Sequence, residues 1–297
     1  MNNEVEIGQC TPDDLDTFVE LLDKDNLIPE GSGLSIKDRF PAVFNLENLA
    51  NIYLAKASGA VLSGVCIRRF NWITPSDVYR GAMLGMLSAR PEMAGLVYMI
   101  IKAVQLDMEK EKLDFGVLWT ESKDYRRMPG WIESDRGISG KTLSKSIFPE
   151  VTPFPARTVQ EEDIAWVEIL RRRWYPRRAG RQQEIYATIP LPGNQLEIIS
   201  RDTTNHDDRF YVISGRVGDV GVVYEVVGKP SSYPMIWESL SNAYKSLIFH
   251  ECEGSLFENW LDRNVDITWE QNNQAVWLPL REKLPFKEWY IPCLDRM

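Results

Sequence analysis

"ARPEMAGLVYM" (residues 89–99) joins two apolar runs of different period. Before it, "YRGAMLGMLSA" (79–89) reads as a strand; after it, Val97, Ile100, Ile101, Val104 and Met108 recur at helical spacing. A strand, a turn with Pro and Gly, and a helix form an elbow that can hold an anion. The first amides of a helix have no intrahelical acceptor, and the helix dipole adds attraction. Of this turn only Gly95 is glycine, while Ala94, Val97 and Met99 stand where a phosphate cradle favours Arg or Gly. The neighbouring elements decide what kind of elbow it is.

Upstream, "VEIGQC" (5–10) alternates as a short strand. Thr11 caps a helix that begins at Pro12 and places Leu15, Phe18, Val19 and Leu22 on one face. A second helix is expected across 35–49. "NIYLAKASGAVLSGVCIRRFNWI" (51–73) reads as two strands turning at Ser58-Gly59. Downstream, "DFGVLWT" (114–120) is a buried strand, and "ESKDYRRMPGWIESD" holds a short helix and a turn into another strand. The order is β-α-α-β-β-β-α-β-α-β.

Between 132 and 160, Gly137, Gly140, Pro149, Pro153 and Pro155 interrupt any period, which predicts a linker. The second half replays the first. A helix in "TVQEEDIAWVEILRRRW" precedes a strand pair in "RFYVISGRVGDVGVVYEVV". The helix "YPMIWESLSNAYKSL", the strand "SLIFHE" and the short helix "GSLFENWLDRN" follow, and "VDITWE" and "AVWLPL" close as strands. A repeat this long reads as two similar domains.

Composition narrows the classes. The 297 residues are 44% hydrophobic and 26% charged, as in an ordinary globular protein, and the net charge of −9 opposes any global attraction to nucleic acid or anionic membrane. Four scattered cysteines without C-x-x-C spacing read as reduced thiols. Two histidines exclude a His-rich site and leave a Ser-His-Asp triad poorly supplied, so no metal is expected. His250-Glu251-Cys252-Glu253 lacks ligand spacing. The N-terminus has no apolar signal core, and no apolar run approaches the roughly 18 residues of a span, so a cytoplasmic protein without a membrane partner is expected. "LRRRWYPRRAGR" (170–181) admits two readings: a grip on phosphates or RNA, or a helix end paired with acids. Nucleic acid is not expected as a partner, with the Arg171–Arg181 cluster the one feature that speaks for it. Among the ten tryptophans, Trp72, Trp119 and Trp131 admit two readings, the lining of an apolar pocket or, as for most tryptophans, core and domain-interface packing.

With this order in place, the first half resembles the GNAT (GCN5-related N-acetyltransferase) superfamily. Its signature, roughly V-x-P-E-x-R-G-x-G-x-G, places Ala89 at the strand end and matches Pro91, Glu92 and Gly95. Ala94 replaces the Arg, and Val97 and Met99 replace two glycines. "VLWTESKDYRRMPGW" resembles the family's fifth strand and "YxxLGF"-like segment, with Pro129 extra. The likeness covers about 5–135, and over 161–280 it rests on element order.

The resemblance implies an α/β (α+β) fold of two GNAT-like domains, each a mixed, mostly antiparallel sheet flanked by helices. The expected division is 1–135, a linker at 136–160, and 161–297. It also implies acetyl-CoA or another acyl-CoA as co-substrate and a small-molecule amine as acceptor. Leu87, Ser88 and Ala89 would offer a strand edge to the pantetheine arm, and Gly95, Leu96 and Val97 would face the pyrophosphate, with the Val97 side chain narrowing the approach. Tyr125 maps onto the general acid, and Glu92 is the candidate base, with Glu121 a further one. The second domain would shape the acceptor pocket without a cofactor site of its own. Two other readings stay open: an inactive GNAT-like binding or partner-recognition protein, and an RNA-linked protein acting through the Arg cluster.

Overall fold

Side-chain alternation and spacing build the elements in chain order. The first half contains β1 (Glu6–Gln9), α1 (Pro12–Lys24), α2 (Ile36–Arg39), β2 (Ile52–Ala57), β3 (Ala60–Ile73), β4 (Val78–Ala89), α3 (Gly95–Lys110), β5 (Phe115–Trp119), α4 (Lys123–Arg126), β6 (Ile132–Glu133) and β7 (Gly137–Thr142). The second half contains β8 (Ala156–Thr158), α5 (Glu161–Trp174), β9 (Arg178–Ala179), β10 (Glu197–Ser200), β11 (Tyr211–Val217), β12 (Val220–Val227), α6 (Tyr233–Ala243), β13 (Ser246–Cys252), α7 (Leu256–Asn264), β14 (Ile267–Gln271) and β15 (Ala275–Pro279). This computed structural model describes residues 5–24, 35–41, 43–90, 93, 95–143, 156–158, 161–174, 178–179, 197–200, 210–217, 219–282, 284–292 and 295–296.

Two mixed sheets result. The first runs β1-β2-β3-β4-β5-β15-β6, with β9 paired to β3; the second runs β14-β7-β13-β12-β11-β10-β8. Each is antiparallel except at one parallel pair, β4 with β5 and β12 with β13. The halves exchange strands. Gly137–Thr142, inside the stretch read as a linker, pairs with both β13 and β14. "AVWLP", read as closing the second half, pairs along β5 from Ala275↔Trp119 to Pro279↔Phe115 in the first sheet.

Alternation assigns the faces of the first sheet. Tyr53 and Ala55 pack against α3 through Val97, Ile100, Ile101, Val104 and Met108. Ile52 and Leu54 point the other way, against Leu15, Phe18 and Leu22 of α1. Farther along that second face Phe70, Trp72, Phe115 and Trp277 meet Phe286, Trp289 and Ile291 of the C-terminal segment. The second sheet has Phe210 and Val212 toward α6 and α7, and Tyr211 and Ile213 toward α5.

Local expectations meet the structure unevenly. Ser58 and Gly59 both take positive φ (50° and 79°), the turn their hairpin requires. The helix expected across 35–49 is cut short. Pro41 disfavours helical backbone at Phe40, which leaves it at φ −127°, and a separate 3-10 turn starts after Asn45, whose side chain accepts from the amides of Glu47 and Asn48. Arg171, from the arginine cluster, is buried. Its Nη2 donates to Asp295 at 2.7 Å, and Glu225 and Glu168 each lie 3.6 Å from the guanidinium. Glu225 also accepts from the Tyr211 hydroxyl at 2.6 Å. Arg171 therefore ties α5 to β12 and the C-terminal segment, while Arg172 and Arg173 are exposed.

Trp277 is 1% exposed and touches Phe115, Phe286 and Trp289. Trp277→Ala is expected to lower unfolding free energy by about 3–5 kcal/mol. Urea titration followed by circular dichroism measures it; a loss below 1 kcal/mol would show that β15 is not part of the first sheet's core.

Candidate functional site

β4 and β5 pair from Gly81↔Phe115 to Leu84↔Leu118, and there the ladder stops. β4 continues to Ala89 with β3 on one side, and among the described residues no strand pairs with its other edge. A bulge accompanies the parting. The β3–β4 register shifts between Gly64 and Cys66, and Met86 takes φ +52°. The Arg90 amide donates to Leu62 O at 2.9 Å, toward β3. Strand alternation then turns the amides of Ala89 and Leu87 into the opening. Ser63, fully buried, donates its hydroxyl to Ser88 O at 2.8 Å and fixes this stretch of β4 to β3. The sequence reading named Leu87, Ser88 and Ala89 but had no signal for Ser63 or for positive φ at Met86.

The elbow carries β4 into α3. Met93 and Gly95 are exposed, and among the described residues nothing lies within 4 Å of where a Cβ on Gly95 would sit. Leu96 (9% exposed) and Val97 (2%) point into the core against the sheet. The expectation that Val97 narrows the approach is thus corrected. Helical geometry sends its side chain inward, and its amide stays in the first turn. Glu92 and Ala94 lie outside the described residues.

Across the opening, β5 leads through Thr120 into α4, which carries Tyr125. The Tyr125 ring is half-buried against the α3-side core and lies 5.8 Å from the Tyr98 ring. Tyr98, in the first turns of α3, donates its hydroxyl to Asp124 O at 2.7 Å and so clasps α4. Burial pushes the Tyr125 hydroxyl above its usual pKa, helped by neighbouring Tyr98 and Asp124, so it keeps its proton at neutral pH. Tyr98 was missed because its spacing marks it only as the outer face of a helix. Glu121 is exposed and accepts from Gln274 Nε2 at 3.1 Å. Trp131 is in the α3-side core, whereas Trp72 and Trp119 both lie with the cluster on the opposite face, Trp72 against Trp289 and Trp119 under Arg296 at 5.2 Å.

The second sheet opens in the same way. β12 and β13 pair from Val220↔Ser246 to Val223↔Phe249, and beyond that each is held, among the described residues, only on its outer side, by β11 and β7. The rings of Tyr224 and His250 stack across this opening at 5.7 Å. Ser139 Oγ lies 3.2 Å from His250 Nδ1, and burial beside Arg296 brings the imidazole down to about 4. Next to it, burial raises the Glu251 carboxyl to about 7, although Ser255 donates to it at 2.9 Å. Among the described residues no group of three or more His, Cys, Asp or Glu could hold a metal ion, and no helix is long and apolar enough to cross a membrane.

No protein-family model and no curated protein matches the sequence. Solved structures do resemble the chain. A GCN5-related N-acetyltransferase from Anabaena variabilis is 12% identical with a TM-score of 0.75, over 94% of this chain and 73% of that one. Another, from Kribbella flavida, is 11% identical with a TM-score of 0.67, over 92% and 70%. Saccharomyces cerevisiae N-myristoyltransferase with bound myristoyl-CoA is 10% identical with a TM-score of 0.54, over 94% and 83%. The chain has the GCN5-related N-acetyltransferase fold over nearly its whole length.

His250 and Glu251 predict opposing pH dependences. The lowered pKa of His250 contributes stability that is present above about 6.5 and lost toward about 4. The raised pKa of Glu251 contributes stability that is present below about 4.5 and lost toward about 7. Glu251→Gln removes the second slope only, so between pH 4.5 and 7 its stability should rise with pH relative to wild type, by on the order of 3 kcal/mol. Urea midpoints across that window measure this; parallel curves for the two proteins would refute it.

Proposed function

We propose, with the GCN5-related N-acetyltransferase fold as the premise, that this protein transfers an acyl group from coenzyme A to an amine of a small molecule. One observation carries the reading: past Leu84, β4 presents the amides of Leu87 and Ala89 to an opening that leads to Gly95 at the start of α3. An extended pantetheine arm pairs with such an edge as an added strand. The residues fit the group. The strand edge is clear of β5, and the space beside Gly95 is open among the described residues. Acyl-CoA, when bound, supplies an activated thioester and a thiol leaving group, with acetyl the proposed acyl.

The roles of the chain's own residues follow from where they stand. Leu87, Ser88 and Ala89 offer the strand edge, and amides aimed into the opening stabilise negative charge on a carbonyl oxygen there. Gly95, Leu96 and Val97 offer first-turn amides to phosphate oxygens. Tyr125 holds a proton at a hydroxyl whose pKa is raised, which suits a general acid at neutral pH. Glu92 is proposed as the base that relieves the amine of its proton. The two GNAT-like halves, which exchange β7, β9 and β15, act in tandem in a cytoplasmic protein, the second shaping the acceptor side.

Thermal denaturation with acetyl-CoA tests the binding step. A ligand at about 100 times its Kd stabilises the fold by about 2.7 kcal/mol, so the midpoint should rise by several degrees. No shift at millimolar acetyl-CoA or millimolar longer acyl-CoA would leave an inactive GNAT-like binding protein as the reading. Tyr125→Phe should lower kcat about 100-fold or more while KM for the acyl-CoA changes little. An unchanged kcat would remove Tyr125 as the acid.

A further inference from the structure

At the opened ends of β12 and β13 lies a cavity of about 370 Å³. Val226 of β12, Cys252 of β13 and Tyr233 of α6 line it from the second sheet; Trp72 of β3, Trp174 of α5 and Tyr290 of the C-terminal segment line it from the other side. It is a different place from the opening at Leu87–Ala89. Trp72 pairs with Tyr79, whereas Ala89 pairs with Ser63, and at about 3.3 Å per residue that separation along β3 is roughly 30 Å.

The chemistry of the lining is one-sided. Its volume falls at the small end of ligand pockets, roughly 300–1,000 Å³, where aromatic walls hold a flat apolar body and a few polar groups orient it. One donor stands there: Arg136 reaches the cavity with one Nη donating to Glu253 O, and its other N–H groups have no protein partner among the described residues. Glu288, the one acid of the described lining, is exposed and already engaged. Unspent donors against an aromatic wall match a planar ring that carries an acceptor, and a guanidinium matches a carboxylate best.

We propose that this cavity is a binding site for a small aromatic carboxylate, separate from the acyl-transfer centre. The ring lies among Trp72, Trp174, Tyr233 and Tyr290, and the carboxylate meets Arg136.

The probes are naphthalene-2-carboxylate and the uncharged naphthalene-2-methanol, titrated calorimetrically into the full chain. The carboxylate should bind at least tenfold more tightly than the alcohol, and Arg136→Gln should bring the two within about twofold. Leu256→Trp, which fills the rim from a position 64% exposed, should abolish binding of both. Cys252, a free thiol on the wall, supplies a readout that needs no variant. Alkylation by iodoacetamide, mapped by peptide mass, should slow at Cys252 when naphthalene-2-carboxylate is present. Absence of binding at millimolar probe, equal affinity for both probes in the wild type, or binding that leaves Cys252 unprotected would each overturn the proposal. Tyr125→Phe should leave all these results unchanged, so the outcome stands apart from that of the transferase reading.

Discussion

A strand amide that leaves its ladder needs another acceptor, and the architecture is organised around two places where this happens. β5 is held along its length by β15, while β4 keeps its other neighbour, β3, to the end. The two strands are therefore fixed on their outer edges and free to part on their inner ones. The bulge at Met86 adds local twist to β4, and its positive φ costs on the order of 1–3 kcal/mol that the surrounding packing must offset. Ser63 and the core around α3 supply that support. What remains is a strand edge whose Leu87 and Ala89 amides face away from β3.

The same device in the second sheet has a different content. There Tyr224 and His250 stack across the parting, and the aromatic cavity lies at the strand ends. In the first sheet the elbow leads to an exposed Gly95 at the start of a long helix. After β12 the chain runs through Gly228, Lys229 and a 3-10 turn at Pro230–Ser232 into Tyr233, and no open glycine begins α6. Similar backbones thus present an exposed glycine at a helix start in one case and aromatic walls in the other. Strand exchange binds the two together. Trp277 and the C-terminal Phe286 and Trp289 complete the core of the first sheet, and Asp295 of the same segment receives buried Arg171 from α5.

Much of the first half was legible because its signals are local. Pro12 after Thr11, the Ser58-Gly59 turn and the apolar stripe of α3 each specify backbone over a few residues, and each element formed. Leu87–Ala89 end β4 past its last pair with β5, at the place before the elbow where the sequence puts them. The exceptions have physical causes. Val97 reads as an obstacle in the motif because a motif records identities without directions, and the helix turns that side chain into the core. The arginine cluster looked uniformly basic, yet Arg171 found its acids at positions 225 and 295, far away in the chain. Of Trp72, Trp119 and Trp131, the first two share the cluster on the α1 side of the first sheet, while Trp131, in the turn before β6, packs on the α3 side.

Taken alone, the sequence determined the order of strands and helices from β1 to β6, and with it the strand-to-helix passage between residues 89 and 99. These depend on periods of two and 3.6 residues and on turn residues, all of which act between near neighbours. Only the tertiary structure decided that residues 275–279 lie against β5, that residues 137–142 serve the second sheet, and that two parallel pairs part at matching points. Strand pairing joins backbones whatever their side chains, and a cavity forms where packed surfaces fail to meet. Neither leaves a local mark in the chain.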